Sequence, residues 1–309
     1  MAVGWIRALV AATAFLAGLF LSFLLGRIEP PRAPQVPELP AQERAFRHRR
    51  IICMSPAVAE IAFAVGAGDR VVGVSQHTRY PPAALDRPTC GGFFNPNFEL
   101  ILGLAPDLII TQGEAEELRR FASRNGMNLV SLSLSDLDSI FAAIRRVGDV
   151  LEVGTQAELV CAEMRYRLAK VRASVGRMPR IPVLLVTGRE PGALSDIYTV
   201  GPGSFLHDLI RVAGGRNAFA DLGSSYGAIN KEALIERSPR VIVELHGEGG
   251  NRRELEAQVR RLWRALAPLP AVREGRVYVM TATYALIPGP RVVRVAEQLS
   301  ELIHGVESR

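Results

Sequence analysis

Cysteine is scarce in this chain. Its 309 residues hold three, Cys53, Cys90 and Cys161, far apart and never in Cys-x-x-Cys spacing. That excludes a cysteine-rich zinc module and a disulfide scaffold. Cys53 ends a strand-like run and Cys90 follows in a later loop, so they are the pair to test for a bond in an exported chain. Three separate buried thiols is the simpler reading. The chain also lacks the Gly-x-Ser-x-Gly elbow, the Gly-x-x-x-x-Gly-Lys phosphate loop and the Gly-x-Gly-x-x-Gly fingerprint. Gly201-Pro202-Gly203-Ser204 opens a helix whose N-terminus suits an anion, but no acid, base and nucleophile converge with it. The reading is therefore a non-enzyme, with a membrane-anchored α/β enzyme as the rival class. A net charge of +6 raises nucleic acid as a partner. The arginines are scattered along helical faces and near the N-terminus, and no zinc-finger, RNP-like or helix-turn-helix signature is present, which sets that reading aside.

Metal ligands are equally sparse. No two histidines stand at ligand spacing, whereas a metal site needs three or four convergent donors, so no resident metal and no cofactor are expected. His207, in Phe205-Leu206-His207-Asp208-Leu209, reads as a polar helix position, and His246 likewise lies in the folded part. His77 and Tyr80 share one loop, and either side chain can ligate haem iron.

What the chain does hold is an apolar fraction of 48% with 22% charged residues, enough to bury one large or two modest cores. Residues 1–27 form the first segment. From Ala8 to Gly26 no residue is charged, and nineteen helical residues span roughly 28 Å, close to the hydrocarbon thickness of a bilayer. The run ends Leu24-Leu25-Gly26-Arg27, a poor cleavage site, so an uncleaved anchor is favoured over a cleaved signal. Arg27, Arg32 and Arg44 follow the run and only Arg7 precedes it, against the positive-inside tendency, which weakens for long translocated domains. Residues 28–48 are proline-rich and read as an extended spacer.

The remainder is written twice. Strand-like runs occur at Ile51–Met54, Val71–Val74, Leu108–Thr111 and Leu129–Leu132, then again at Val183–Thr187, Tyr198–Gly201, Val241–Leu245 and Val277–Met280. Helical patterns alternate with them, which predicts an α/β fold. Residues 49–135 make an N-terminal lobe and 179–309 a C-terminal lobe. Between them, 136–178 is helical by period, with one break near Gly154, and predicts a single long helix joining two similar lobes. Asn97-Phe98-Glu99 with Pro106 and a strand is echoed by Asn230-Lys231-Glu232 with Pro239 and a strand. Ser55-Pro56 with Ala67-Gly68 is echoed by Gly201-Pro202 with Ala213-Gly214. Two lobes of like build predict a ligand cleft between them. Asn97 and Asn230 suit helix N-caps, and Glu99 and Glu232 then occupy first turns, where the helix dipole favours a carboxylate. Either they only support their helices, or each is an exposed acid at a lobe tip, ready for a partner's arginines.

From Arg50 to about Gly305 these features resemble the cobalamin and ferric-siderophore binding proteins of ABC importers. The likeness is carried by Arg50 through Glu60, by Val71-Val72-Gly73-Val74-Ser75 with Tyr80-Pro81, by the Asn97 and Asn230 segments, and by Gly214-Gly215-Arg216-Asn217-Ala218-Phe219. The resemblance implies two lobes bridged by a rigid helix, and an extracytoplasmic protein delivering a metal chelate to a permease and its ATPase subunits. The cargo it implies is a corrinoid first, a ferric siderophore or haem second. It also implies salt bridges from Glu99 and Glu232 to the permease, and a cleft walled by Tyr80, Phe93, Phe94, Tyr226 and Tyr284. Flat aromatic faces give a macrocycle large apolar contact at little rotamer cost. The retained anchor departs from the family pattern and places the protein at the outer face of the inner membrane.

Overall fold

The computed structural model describes residues 46–247 and 251–305. The expected anchor and most of the proline-rich spacer lie outside the described residues. Among those described, no helix is long and apolar enough to cross a membrane.

The N-terminal lobe runs β1 (Ile51–Cys53), α1 (Pro56–Ala64), β2 (Val71–Val74), α2 (Phe98–Gly103), β3 (Leu108–Gln112), α3 (Glu116–Arg124) and β4 (Asn128–Leu132). Its strands pair in the order β2-β1-β3-β4, all parallel. Parallel strands are covered on both faces and read as unbroken apolar runs. Ile51-Ile52-Cys53 and Leu108-Ile109-Ile110 fit that rule, each residue being fully buried. The lobe also draws in residues from the expected spacer: the Arg70 guanidinium stacks 4.0 Å from the Phe46 ring and donates to the His48 carbonyl at 3.1 Å.

α4 (Leu137–Val150) and α5 (Gly154–Val175) follow. Here the predicted single helix resolves into two, broken near Gly154 as its period suggested. A capping box starts α4: Asp136 accepts from the Ser139 amide at 2.7 Å, and the Ser139 hydroxyl accepts from the Asp136 amide at 3.0 Å. That start lies against the second lobe, since the Leu137 amide donates to Asp208 at 3.2 Å. α4 then returns along the first lobe, where the Leu151 carbonyl accepts from Arg70. Only α5 makes the crossing. Its 22 residues are about 33 Å long at 1.5 Å each, and at its far end Val175 packs against Gly214.

The two helices approach closely at Gly148, where an added Cβ would fall 2.4 Å from that of Ala157. Gly148→Val should therefore destabilise the fold by about 1–3 kcal/mol through overpacking. Urea unfolding reads this as a lower midpoint, and an unchanged midpoint would mean the helices are less tightly apposed.

The C-terminal lobe comprises β5 (Ile181–Gly188), β6 (Ile197–Val200), α6 (Phe205–Val212), β7 (Gly215–Asn217), β8 (Tyr226–Ile229), α7 (Lys231–Arg237), β9 (Val241–His246), α8 (Arg252–Trp263), α9 (Pro270–Arg273) and β10 (Val277–Thr281). A 3-10 turn (Thr283–Leu286) and α10 (Val292–His304) close it. The strand order is β10-β9-β5-β6-β8, with β7 beside β5. β6 is antiparallel to β5, and β8 to β6. The lobes are thus alike in their βα units but not copies: the second adds two short strands, β7 and β8, that the sequence pattern did not separate from loop.

The first echo is structural. Asn97 and Asn230 each cap a helix, accepting from the Leu100 and Ala233 amides at 3.0 and 2.8 Å. The second is looser: Ser55 caps α1 directly, whereas the capping role in the other half falls to Ser204, three residues beyond Gly201. One apolar core runs through both lobes by way of α4, α5 and α10, from Val58 and Ile61 to Leu206 and Leu299.

The three thiols are free and buried. Cys53 faces that shared core, while Cys90 packs with Ile52 and Ile101 on the opposite side of the sheet, so the two do not bond. Burial pushes the Cys53 thiol up to about 12 and the Cys90 thiol to about 11, leaving both unreactive.

Candidate functional site

In open α/β sheets, ligands sit beyond the carboxyl ends of the strands. In the first lobe, β2 ends at Val74 and feeds the loop bearing His77 and Tyr80, and β1 ends at Cys53 and leads into α1. In the second, β10 ends at Thr281 and leads through Tyr284 to Arg291, which caps α10. These ends meet at one arginine. The Arg291 guanidinium lies 3.9 Å from the centre of the Tyr80 ring and 5.1 Å from that of Tyr284. It also donates to both carboxylate oxygens of Glu60 on α1, at 3.0 and 2.6 Å.

Each part of that contact has a sequence cause. α1 begins Ser55-Pro56, with Pro at its first position and Ser accepting from the Val58 amide, and Glu60 is the lone charged residue of its nine. The Pro288-Gly289-Pro290 turn brings Arg291 back over it, and a Cβ at Gly289 would stand 3.2 Å from a Glu60 oxygen. Tyr284 is fixed by Gln298, whose amide donates to the phenol at 2.8 Å. The pair is deeply placed, with side-chain exposures of 13% for Arg291 and 2% for Glu60. Burial pushes the Glu60 carboxyl above the ordinary carboxylate range, and the bonds from Arg291 partly offset this. A bidentate, desolvated guanidinium–carboxylate pair is rigid and directional, and this one ties α1 to the start of α10.

Of the five expected aromatic residues, Tyr80 and Tyr284 come together there. Phe93 and Phe94 form an edge-to-face pair, ring centres 5.1 Å apart, on the loop before α2. Neither is core: Phe94 is 92% exposed. Tyr226 stands at the start of β8, half exposed, and shares no ring contact with the others among the described residues. Glu99 and Glu232 are exposed in the first turns of α2 and α7 and enter no ion pair among the described residues. His207 lies on α6, bonded to Asn217 at 3.1 Å, and His77 is exposed. No group of three or more metal-binding side chains is found among the described residues.

Sequence reasoning missed Glu60 and Arg291, and with them a second cluster at the same strand edge. Glu244, 1% exposed near the end of β9, accepts from Arg189 at 2.8 Å and from the Trp263 indole, and pairs with His246 at 2.8 Å. Burial alone would raise its carboxyl, but these three donors outweigh that and hold it below the ordinary range.

The sequence matches the family described as periplasmic binding protein over residues 51–284. It is 29% identical over 262 residues to the vitamin B12-binding protein of Vibrio cholerae serotype O1, covering 83% of this chain and 89% of that one. The crystal structure of the periplasmic vitamin B12 binding protein of Vibrio cholerae superposes with a TM-score of 0.68 at 28% identity, over 83% of this chain and 96% of that one. A periplasmic heme binding protein from Pseudomonas aeruginosa superposes with a TM-score of 0.71 at 25% identity, over 84% and 94%.

Proposed function

The chain belongs to the periplasmic binding protein family, and from that premise we propose that it is the extracytoplasmic receptor of an ABC importer, with a corrinoid as its cargo. The observation that carries the reading is the meeting of Tyr80 and Tyr284, one from each lobe, at a single buried arginine beyond the strand ends. Aromatic faces from both sides suit a flat macrocycle with an apolar plane and a polar rim. The relative from Vibrio cholerae supports the corrinoid in particular. Phe93, Phe94 and Tyr226, all exposed, are assigned to the upper walls of the cleft.

Under this reading the protein performs no chemistry. Cargo enters the cleft, stacks on the aromatic residues and is handed on unchanged. The shared core and α5 restrain lobe motion, so closure is small. Glu99 and Glu232 then meet basic residues of the permease, and the ATPase subunits supply the energy. Residues 1–27 hold the chain at the outer face of the inner membrane, with the proline-rich segment as spacer.

Isothermal titration with cyanocobalamin should show saturable one-to-one binding in the nanomolar-to-micromolar range. No heat with cyanocobalamin, but saturation by haemin or a ferric hydroxamate, would keep the transport role and change the cargo. Haem is the second reading, favoured by the Pseudomonas aeruginosa neighbour and by Tyr80 and His77 on one loop, both exposed.

A further inference from the structure

A cavity of about 760 Å³ opens in the C-terminal lobe beside the amino-terminal half of its sheet. Its place follows from β7. Gly215, Arg216 and Asn217 line the cavity and pair with Ile181, Pro182 and Val183 at the start of β5, whereas the cleft lies beyond the carboxyl ends of the strands. None of the aromatic residues assigned to the cargo lines it, nor does Glu60 or Arg291.

Four arginines line it from four segments: Arg172 in the last turn of α5, Arg180 directly before β5, Arg211 in the last turn of α6 and Arg216 on β7. The fold does little to neutralise them. Arg172 and Arg216 enter no ion pair among the described residues. Arg180 donates to the Arg211 carbonyl at 2.6 Å, a bond that places the side chain without cancelling its charge. Arg211 comes only within 4.0 Å of one Asp208 oxygen, and the other oxygen accepts from the Leu137 amide. Asp138 is the second carboxylate of the lining, so four cations face two anions. An excess of one sign in a concave site focuses its field on a ligand of the opposite sign.

His207 adds a donor whose tautomer the structure fixes. Asn217, 2% exposed, accepts from the Phe219 amide through Oδ1 at 3.0 Å. Its Nδ2 therefore carries the two protons, one donated to the Val200 carbonyl at 2.8 Å and one to His207 Nδ1 at 3.1 Å. With Nδ1 accepting, Nε2 holds the imidazole proton. Burial keeps the ring below its ordinary pKa and so neutral near pH 7. The imidazole edge left over is an N–H donor with no lone pair. Donors without matching acceptors suit an anion and repel a metal ion.

We propose that this cavity is a second ligand site, taking an anion of the phosphate class in the guanidinium forks of Arg172, Arg180, Arg211 and Arg216 and on His207 Nε2–H. The volume falls in the range of small-molecule sites and exceeds the needs of one phosphate, so the phosphoryl group arrives on a larger body. A soluble phosphate ester and the headgroup of an anionic phospholipid share that chemistry. Bound there, the anion bridges the far end of α5 to α6 and β7.

The test titrates the full-length chain by calorimetry, in an uncharged detergent and phosphate-free buffer. The probes are sodium pyrophosphate, dihexanoyl phosphatidylglycerol and, as zwitterionic control, dihexanoyl phosphatidylcholine. Pyrophosphate should saturate one site. In the double variant Arg172→Gln with Arg216→Gln its affinity should fall about tenfold or more. The urea midpoint without anion should stay that of the wild type, since neither arginine has an ion-pair partner to lose. Phosphatidylglycerol bound more tightly than pyrophosphate, and lost in the double variant, supports the site with the membrane as its source. Pyrophosphate bound more tightly, with phosphatidylglycerol no better than phosphatidylcholine, supports it with a soluble phosphate. Heat that never saturates is surface attraction alone and overturns the site, as does silence with both anions. Pyrophosphate affinity unchanged in the double variant overturns the assignment to this cavity.

Discussion

Arg291→Ala should destabilise the protein by about 3–5 kcal/mol, because it leaves the Glu60 carboxylate buried without its cation. On the proposed site it should also weaken cargo binding, since the guanidinium packs against both Tyr80 and Tyr284. The stability loss carries a pH signature. Without Arg291, the Glu60 carboxyl in the folded state rises further above its unfolded value. A carboxyl raised in the fold binds its proton more tightly there than in the unfolded chain, so acidification favours the fold. The deficit of the variant is therefore full above the raised folded-state pKa and shrinks as pH falls toward the unfolded value. Urea midpoints across pH measure it, and a deficit that does not change with pH would mean Glu60 is not the group left stranded. The double variant Glu60→Leu with Arg291→Met separates the two effects. It should recover much of the stability, because a buried ion pair and a well-packed apolar pair are close in energy. It should not recover binding.

Charge reversal at both lobe tips, Glu99→Arg with Glu232→Arg, should lower uptake about tenfold to a hundredfold while cyanocobalamin affinity is preserved. Both carboxylates are exposed on first turns, clear of the core, so the fold should tolerate the change apart from a small loss of helix-dipole interaction. On the proposed docking, each reversal turns an attraction to a permease arginine into a repulsion. Uptake by cells and titration of the purified chain distinguish the outcomes. A collapse of cargo affinity would place the glutamates in the cleft, and normal uptake would reduce them to supports for their helices.

Much of this arrangement can be read from the chain before any fold is known, for reasons that are local. Parallel strands such as Ile51-Ile52-Cys53 and Val241-Ile242-Val243 are apolar on both faces, and an asparagine directly ahead of a helical run, as at Asn97 and Asn230, is a favoured N-cap. The Glu60–Arg291 pair is invisible to such rules because its partners are separated by 231 residues. One trace does survive in sequence. Glu60 is a single carboxylate inside Pro56-Ala57-Val58-Ala59-Glu60-Ile61-Ala62-Phe63-Ala64, and a charge in so apolar a helix needs a partner from elsewhere. Glu244 left the same kind of trace in Val241-Ile242-Val243-Glu244-Leu245-His246, where the period of two already put acid and imidazole on one face. Searching for histidines at helical or finger spacing passed over it. The helical connection was legible in content and break but not in path: its period is nearly continuous, and only the close packing at Gly148 and Ala157 turns the break at Gly154 into a reversal of direction, leaving α5 alone as the bridge.

The crossing of α5 and the unbroken core give the molecule a stiff frame, and stiffness has a consequence for supply. On the docking proposed for Glu99 and Glu232, a frame that hardly bends holds the two at nearly one separation, cargo or no cargo. Empty and filled molecules then present the transporter with much the same face, and the two forms compete for it. Uptake follows the filled share of the population and not its total number. A cell short of cargo gains nothing by making more of this protein, since every added empty copy occupies a docking place that a filled one needs.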